Sequence, residues 1–269
     1  MNFDKDTHAY THNGNTYISV TTLLQKYGLA PDYGQIPAAV LQQAAKRGSA
    51  THKALELFIG GDQTMLMYDE VKLFDRYMQA RAVDLTKATS EQLVYDDTYL
   101  LAGTVDITYY DGNEFVIADF KTTSTLHVDT VAWQLSLYNY LLTKGDIVQY
   151  YFNTLKVFHL RNGKLYVKDI PTISYDEIIA LLTANSMNQP TYTYTKTNNI
   201  IQPSEEKLLV QVTKEIEQHE LLIKTLQAEQ QKLLDKVKTN FINHKEYTYN
   251  GTDIVLKYRA QQVRESLDT

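Results

Sequence analysis

Residues 103–121, GTVDITYYDGNEFVIADFK, constrain this chain more than any other stretch. They read as two strands joined by a tight turn. Tyr and β-branched residues fill both arms, and Asp111-Gly112 supplies the positive-φ positions that a two-residue hairpin loop needs. With a loop at Asp111-Gly112, Asp106 falls opposite Ile117. With a loop at Gly112-Asn113, it falls opposite Asp119. Side chains alternate with period two, so either loop predicts Asp106, Asp119 and Lys121 on one sheet face. Two carboxylates so placed repel unless a cation or a proton intervenes. Hard oxygen ligands of this kind suit Mg²⁺, with Mn²⁺ as a substitute.

The flanking sequence supplies an α/β setting. Residues 7–20 predict a hairpin around Asn13-Gly14, and residues 19–27 a short helix closed by Gly28. Helices are predicted over 38–58, behind Pro37, and over 71–87. Residues 91–101 read as one strand feeding the central hairpin. Residues 130–142 read as a helix, and 147–160 with 164–170 as a strand pair turned at Asn162-Gly163. Ser174 and Glu177 form a capping box that opens a helix to about Ala184. The polar stretch 191–203 reads as a linker between a domain over 1–190 and an appendage over 204–269. In the appendage Leu209, Val212, Ile216, His219, Ile223, Leu226, Gln230, Leu233 and Val237 make a heptad seam with two polar interruptions. The seam suits self-association, a partner helix or packing on the main domain. A last hairpin is expected at Asn250-Gly251.

Composition narrows the chemistry. The 269 residues include no cysteine, which removes disulfides, thiol nucleophiles and iron–sulfur clusters together. No G-x-x-x-x-G-K is present, so no ATP-binding P-loop is expected. No apolar run approaches the roughly 18 residues of a membrane helix, and no signal-like start is seen. No membrane association and a cytoplasmic location are the resulting expectations. The net charge of −6 leaves nucleic-acid binding to local patches.

Further polar residues gather around the hairpin. His52 and Glu56 are four apart on a helix and share a face. Glu91 lies one strand upstream of Asp106. Gln134 and Tyr138, again four apart, can reach the charged patch from the helix that follows. Arg47 has the guanidinium geometry for a terminal phosphate.

The ordered set Gly48 to His52, Gly103 to Asp106 (GTVD), Asp119 to Thr122 (DFKT) and Gln134 to Tyr138 (QLSLY) resembles the PD-(D/E)XK nuclease superfamily. It is most similar to the RecB-like and phage-type (YqaJ-like, alkaline) exonucleases. The likeness is strongest over residues 45–140. It implies a restriction-endonuclease-like fold: a mixed β-sheet flanked by helices, here with a long helix and hairpin appended. It implies metal ligation by His52, Asp106, Asp119 and the backbone carbonyl of Phe120. Lys121 would orient or activate water, and Gln134 and Tyr138 would position the acid, the lysine or a phosphate. Arg47, Glu56, Glu91 and Thr122 are the remaining substrate or metal-water candidates. The implied activity is Mg²⁺-dependent resection of linear duplex DNA ends, in a bacterial host or phage-infected cell, with a single-strand annealing protein as partner. A structure-specific endonuclease on the same core, or a non-catalytic DNA-binding scaffold acting through the heptad helix, are the competing expectations.

Overall fold

The computed structural model describes residues 2–4, 9–194, 203–244, 248–250 and 255–257. The chain divides into two units, Met1–Glu206 and Lys207–Thr269. The first opens with strands β1 (Asn2–Asp4), β2 (Ala9–His12) and β3 (Asn15–Ser19) and helices α1 (Val20–Lys26), α2 (Ala38–Ile59) and α3 (Asp69–Ala80). Strands β4 (Thr89–Asp96), β5 (Leu101–Tyr110) and β6 (Phe115–Lys121) follow. Next come α4 (Val128–Thr143), α5 (Ile147–Phe152), β7 (Thr154–Arg161), β8 (Lys164–Asp169) and α6 (Tyr175–Ser186). The remaining elements are α7 (Pro203–His244) and the antiparallel pair β9 (Thr248–Asn250) and β10 (Val255–Lys257).

The sheet is mixed. Its strands run β1-β2-β3-β5-β6-β7-β8, with β4 also paired to β5. The β3–β5 and β6–β7 contacts are parallel and the others antiparallel. Two apolar layers cover it. On one face Val20, Leu23, Trp133, Leu137 and Leu181, from α1, α4 and α6, pack on Val105, Ile117 and Val157. On the other Leu55, Phe58 and Phe74, from α2 and α3, pack on Ile107, Ala118, Phe120 and Phe158. In α4 the run Val131–Leu141 is buried all round, as expected of a helix apolar on every side.

Several local expectations are corrected. Residues 91–101 are not one strand: β4 ends at Asp96 and the chain doubles back into β5. Asp96 Oδ1 accepts the Tyr99 N–H at 2.7 Å, and Leu100 takes φ 47°. The helix predicted over 71–87 stops at Ala80, because Ala82 is left-handed and Asp84 caps a separate turn over Leu85–Lys87. Residues 147–152 are helical although their composition favours a strand. Asp146 Oδ1 accepts the Gln149 N–H there, and Tyr150 is fully buried with its hydroxyl on the Ile173 carbonyl. Tertiary packing overrides β propensity at this point. Asn250 pairs with Val255 inside the last ladder, and Gly251 lies outside the described residues. So does most of the expected linker, 195–202.

The central hairpin takes the register of the Gly112-Asn113 alternative. Tyr110 pairs with Phe115 and Ile107 with Ala118, and Asp111 and Glu114 close the turn. The Asp111 carboxylate accepts the N–H groups of Asn113 and Glu114, a side-chain-built turn typical of Asp. Strict alternation along β5 fails, however. Leu101 and Val105 belong to the α4 side of the sheet, whereas Ile107 and Tyr109, of the same parity, belong to the α2–α3 side. The switch falls at Asp106. On the neighbouring strand, Ser90 pairs with Ile107 and Gln92 with Val105, which leaves Glu91 opposite Asp106 with φ 50°. A left-handed Glu is costly and marks an irregular rung. Such irregularities redirect side chains beside functional sites.

Candidate active site

The irregular rung is also where β5 loses a neighbour. Along one edge β4 pairs with β5 over residues 101–108. Along the other, β3 pairs only with Leu101 and Ala102, and β6 only with residues 107–110. Between them residues 103–106 have no ladder partner on that edge. The gap is filled from two sides. The Phe120 N–H donates to Asp106 Oδ2 at 2.7 Å. The Tyr138 ring lies against Gly103, where a Cβ would come within 2.5 Å of Tyr138 Cε1. That contact explains the glycine of GTVD: only a residue without a side chain admits the ring.

Helix α2 supplies His52. Its Nε2 lies 2.8 Å from the Phe120 carbonyl oxygen; a carbonyl only accepts, so the ring donates. Its Nδ1 lies 3.6 Å from Asp106 Oδ2. Ligand atoms of His52, Glu91 and Asp106 all fall within 4.8 Å of one another, making a group able to hold a metal ion. Burial alone would lower the His52 pKa. The hydrogen bond and charge of Asp106, with Asp119 behind it, reverse this and carry it up to about 9. Burial favours the neutral acid at Asp106, yet His52, Lys121 and the Phe120 N–H together hold it below the usual carboxylate range. Glu91 is pushed up to about 7 by burial and then by the Asp106 charge.

The second half of the site hangs from β6 and α4. Asp119 is 2% exposed. Its Oδ1 accepts from Gln134 Nε2 at 2.9 Å, and the same amide's Oε1 accepts from Lys121 Nζ at 3.0 Å. Gln134 thus spans the acid and the lysine with both ends of one amide. Asp119 Oδ2, buried, lies 2.7 Å from Lys121 Nζ, its ion-pair partner. Burial raises the Asp119 pKa to about 6 against the opposing pull of Lys121. Lys121 keeps its proton: Asp119 and Asp106 outweigh the desolvation that would remove it. Tyr138 closes the set at 3.4 Å from Gln134 Nε2, and burial raises its hydroxyl pKa.

Asp106, Asp119 and Lys121 lie close enough to act on one another's charge, although alternation does not run unbroken along β5. The break at Asp106 turns its carboxylate to His52 of α2, while Asp119 and Lys121 reach α4. The two halves remain electrostatically linked, because each aspartate feels the other set's charges. Arg47 Nη2 donates to the Thr122 carbonyl at 2.9 Å, and a Cβ on Gly48 would sit 3.3 Å from Thr122 Oγ1. This close approach docks α2 beside the end of β6. Glu56, four residues on from His52, pairs with Lys53 at 2.8 Å, lies outside the ligand group and acts on Glu91 through its charge. Glu91 comes closer to the ligand group than its reading as a metal-water candidate implied. The fold back at Asp96–Leu100 produces that placement, and Asp96-Asp97 was the available turn signal.

The donors fit a hard divalent cation: the carboxylate oxygens of Glu91 and Asp106 with one imidazole, and the buried Asp119 carboxylate near them. A cation held by His52 would compete with the proton the ring carries here.

A mixed sheet between helical layers, with two acids and a lysine on its central strands, defines a restriction-endonuclease-like nuclease core. The chain belongs to the PD-(D/E)XK nuclease superfamily, whose family model matches residues 23–248. Nucleases of this superfamily use divalent metals. Among solved structures, the crystal structure of SSO0001 is similar, at 15% identity and a TM-score of 0.40, covering 68% of this chain and 79% of that one. No curated protein matches the chain. Among the described residues no helix is long and apolar enough to cross a membrane.

Proposed function

We propose that the protein is a Mg²⁺-dependent exodeoxyribonuclease of the RecB-like, phage-type branch that resects linear duplex DNA ends for recombination. The observation that carries the reading is the convergence of His52, Glu91 and Asp106 beside the Asp119–Gln134–Lys121 bridge. Asp106, Asp119 and His52, with Glu91 and the Phe120 carbonyl, would hold the cation. A bound divalent cation supplies neutralisation of the phosphodiester charge and a more acidic water. Lys121 presents a protonated amine where negative charge develops. Gln134 fixes that amine relative to Asp119, and Tyr138 backs the amide. Arg47 uses one N–H on Thr122 and has others for a terminal phosphate. A single-strand annealing protein is the partner this activity would need.

End dependence tests the reading. Incubation of end-labelled linear duplex and closed circular DNA with Mg²⁺ is expected to degrade the linear form alone, with EDTA stopping the reaction. Cutting of the closed circle would assign a structure-specific endonuclease instead. Cleavage unaffected by EDTA would contradict the metal site. Removing the 5′-phosphate is expected to slow the wild type and to have little effect on Arg47→Ala.

A further inference from the structure

Helix α7 is 42 residues long, about 60 Å at the usual rise. Leu209, Ile216, Ile223, Leu226 and Leu233 of its heptad seam are each more than half exposed. A helix in water draws most of its stability from packing an apolar face, so this seam calls for an occupant. The flanking charges say which. In a parallel pair in register, the residue before every second seam position, such as Glu215 before Ile216, faces the residue after the next seam position on the other strand. Glu215 of each chain would then face Glu220 of the other, two like-charge contacts. In an antiparallel pair centred between Lys224 and Thr225, Glu215 faces Lys236 of the second copy, and symmetry makes that contact twice. All three side chains are exposed.

The same antiparallel alignment suits the seam. Ile223 meets Leu226 of the second copy, and Ile216 meets its Leu233. The two polar interruptions meet each other, His219 against Gln230, so neither is set against an aliphatic layer. Parallel pairing would instead stack His219 on His219. Leu222 and Leu234 flank the antiparallel seam and would be partly covered; Leu221 and Val210 stay outside it.

We propose that α7 pairs with α7 of a second copy of this chain as an antiparallel two-helix coiled coil centred between Lys224 and Thr225. The inference is independent of the nuclease reading. Light scattering and sedimentation of the full chain are expected to give the mass of two chains. Glu215→Lys is expected to weaken the pair by about tenfold, because two attractive contacts become repulsive. Combining it with Lys236→Glu should restore the wild-type affinity. A parallel pair predicts the opposite for Glu215→Lys, since it would relieve the Glu220 clash. The absence of cysteine allows a second readout. Ile216→Cys and Leu233→Cys lie about 25 Å apart along one helix. Oxidation of their mixture is expected to give a mixed disulfide dimer, with neither variant linking to itself. A single-chain or larger mass for the wild type, tighter pairing of Glu215→Lys, or self-linked Ile216→Cys would each overturn the proposal.

Discussion

The two aspartates of the candidate site sit on adjacent strands yet are held in opposite ways. Asp106 has a backbone donor and an imidazole, and its carboxyl is kept below the usual range. Asp119 is deeper, is gripped through Gln134 on one oxygen and Lys121 on the other, and is pushed up to about 6 by burial. The Asp106 half is an ionised ligand already in place. The Asp119 half has a protonated amine on one carboxylate oxygen and the Gln134 amide on the other. Environments that push the proton affinities of two carboxyls apart are how a site assigns them different work. The irregular rung at Glu91 and Asp106 produces the difference, because it turns one acid to α2 and leaves the other to α4.

The contrast can be broken most sharply at the lysine. Lys121→Ala is expected to lower cleavage by at least about 100-fold, with calorimetry still detecting divalent-ion binding and circular dichroism showing a retained fold. Near-wild-type turnover would refute the assignment. At the ligands, Asp106→Ala is expected to abolish divalent-ion binding by calorimetry, and Asp119→Ala to weaken it severely. Unchanged affinity in either variant counts against that residue as a ligand.

Glu91 and Glu56 sharpen the account on the α2 side. Glu91→Gln is expected to cost about tenfold or more in metal affinity. Glu56→Gln should leave affinity alone and change stability by less than about 1 kcal/mol, because its pair with Lys53 is exposed. Equal effects from the two would remove the structural distinction between them. Finally, Gly103→Ala is expected to lower stability by about 1–3 kcal/mol in urea unfolding, since its Cβ would collide with the Tyr138 ring. A neutral result would mean that Tyr138 does not need the gap in the sheet.

Much of this was legible in the residues. The helices around α1, α2, α4 and α6 follow apolar spacing and caps, and Ser174 accepts the expected Glu177 N–H; Ser19, read as the first residue of its helix, instead caps α1 by accepting from Thr22. The catalytic-type residues were legible because their order and spacing are specific as a set. What escaped depends on three-dimensional context. The turn at Asp96 carries only the weak local signal of Asp96-Asp97, inside a run that otherwise reads as one strand, so Glu91 was not laid directly beside Asp106. Period-two reasoning assumes an unbroken strand, and the left-handed Glu91 breaks it. Residues 147–152 carry strand-forming side chains but fold as a helix because the Tyr150 hydroxyl finds Ile173 and the Asn139 amide finds the Tyr150 carbonyl.

The central claim is that one divalent cation is held between β5 and β6 by acids from both strands. Anomalous diffraction from crystals soaked in Mn²⁺ tests it most directly. The account predicts a peak about 2.0–2.6 Å from carboxylate oxygens of Asp106 and Asp119, with His52 on the same ion. A peak only at other carboxylates, or none between these strands at saturating Mn²⁺, would contradict it.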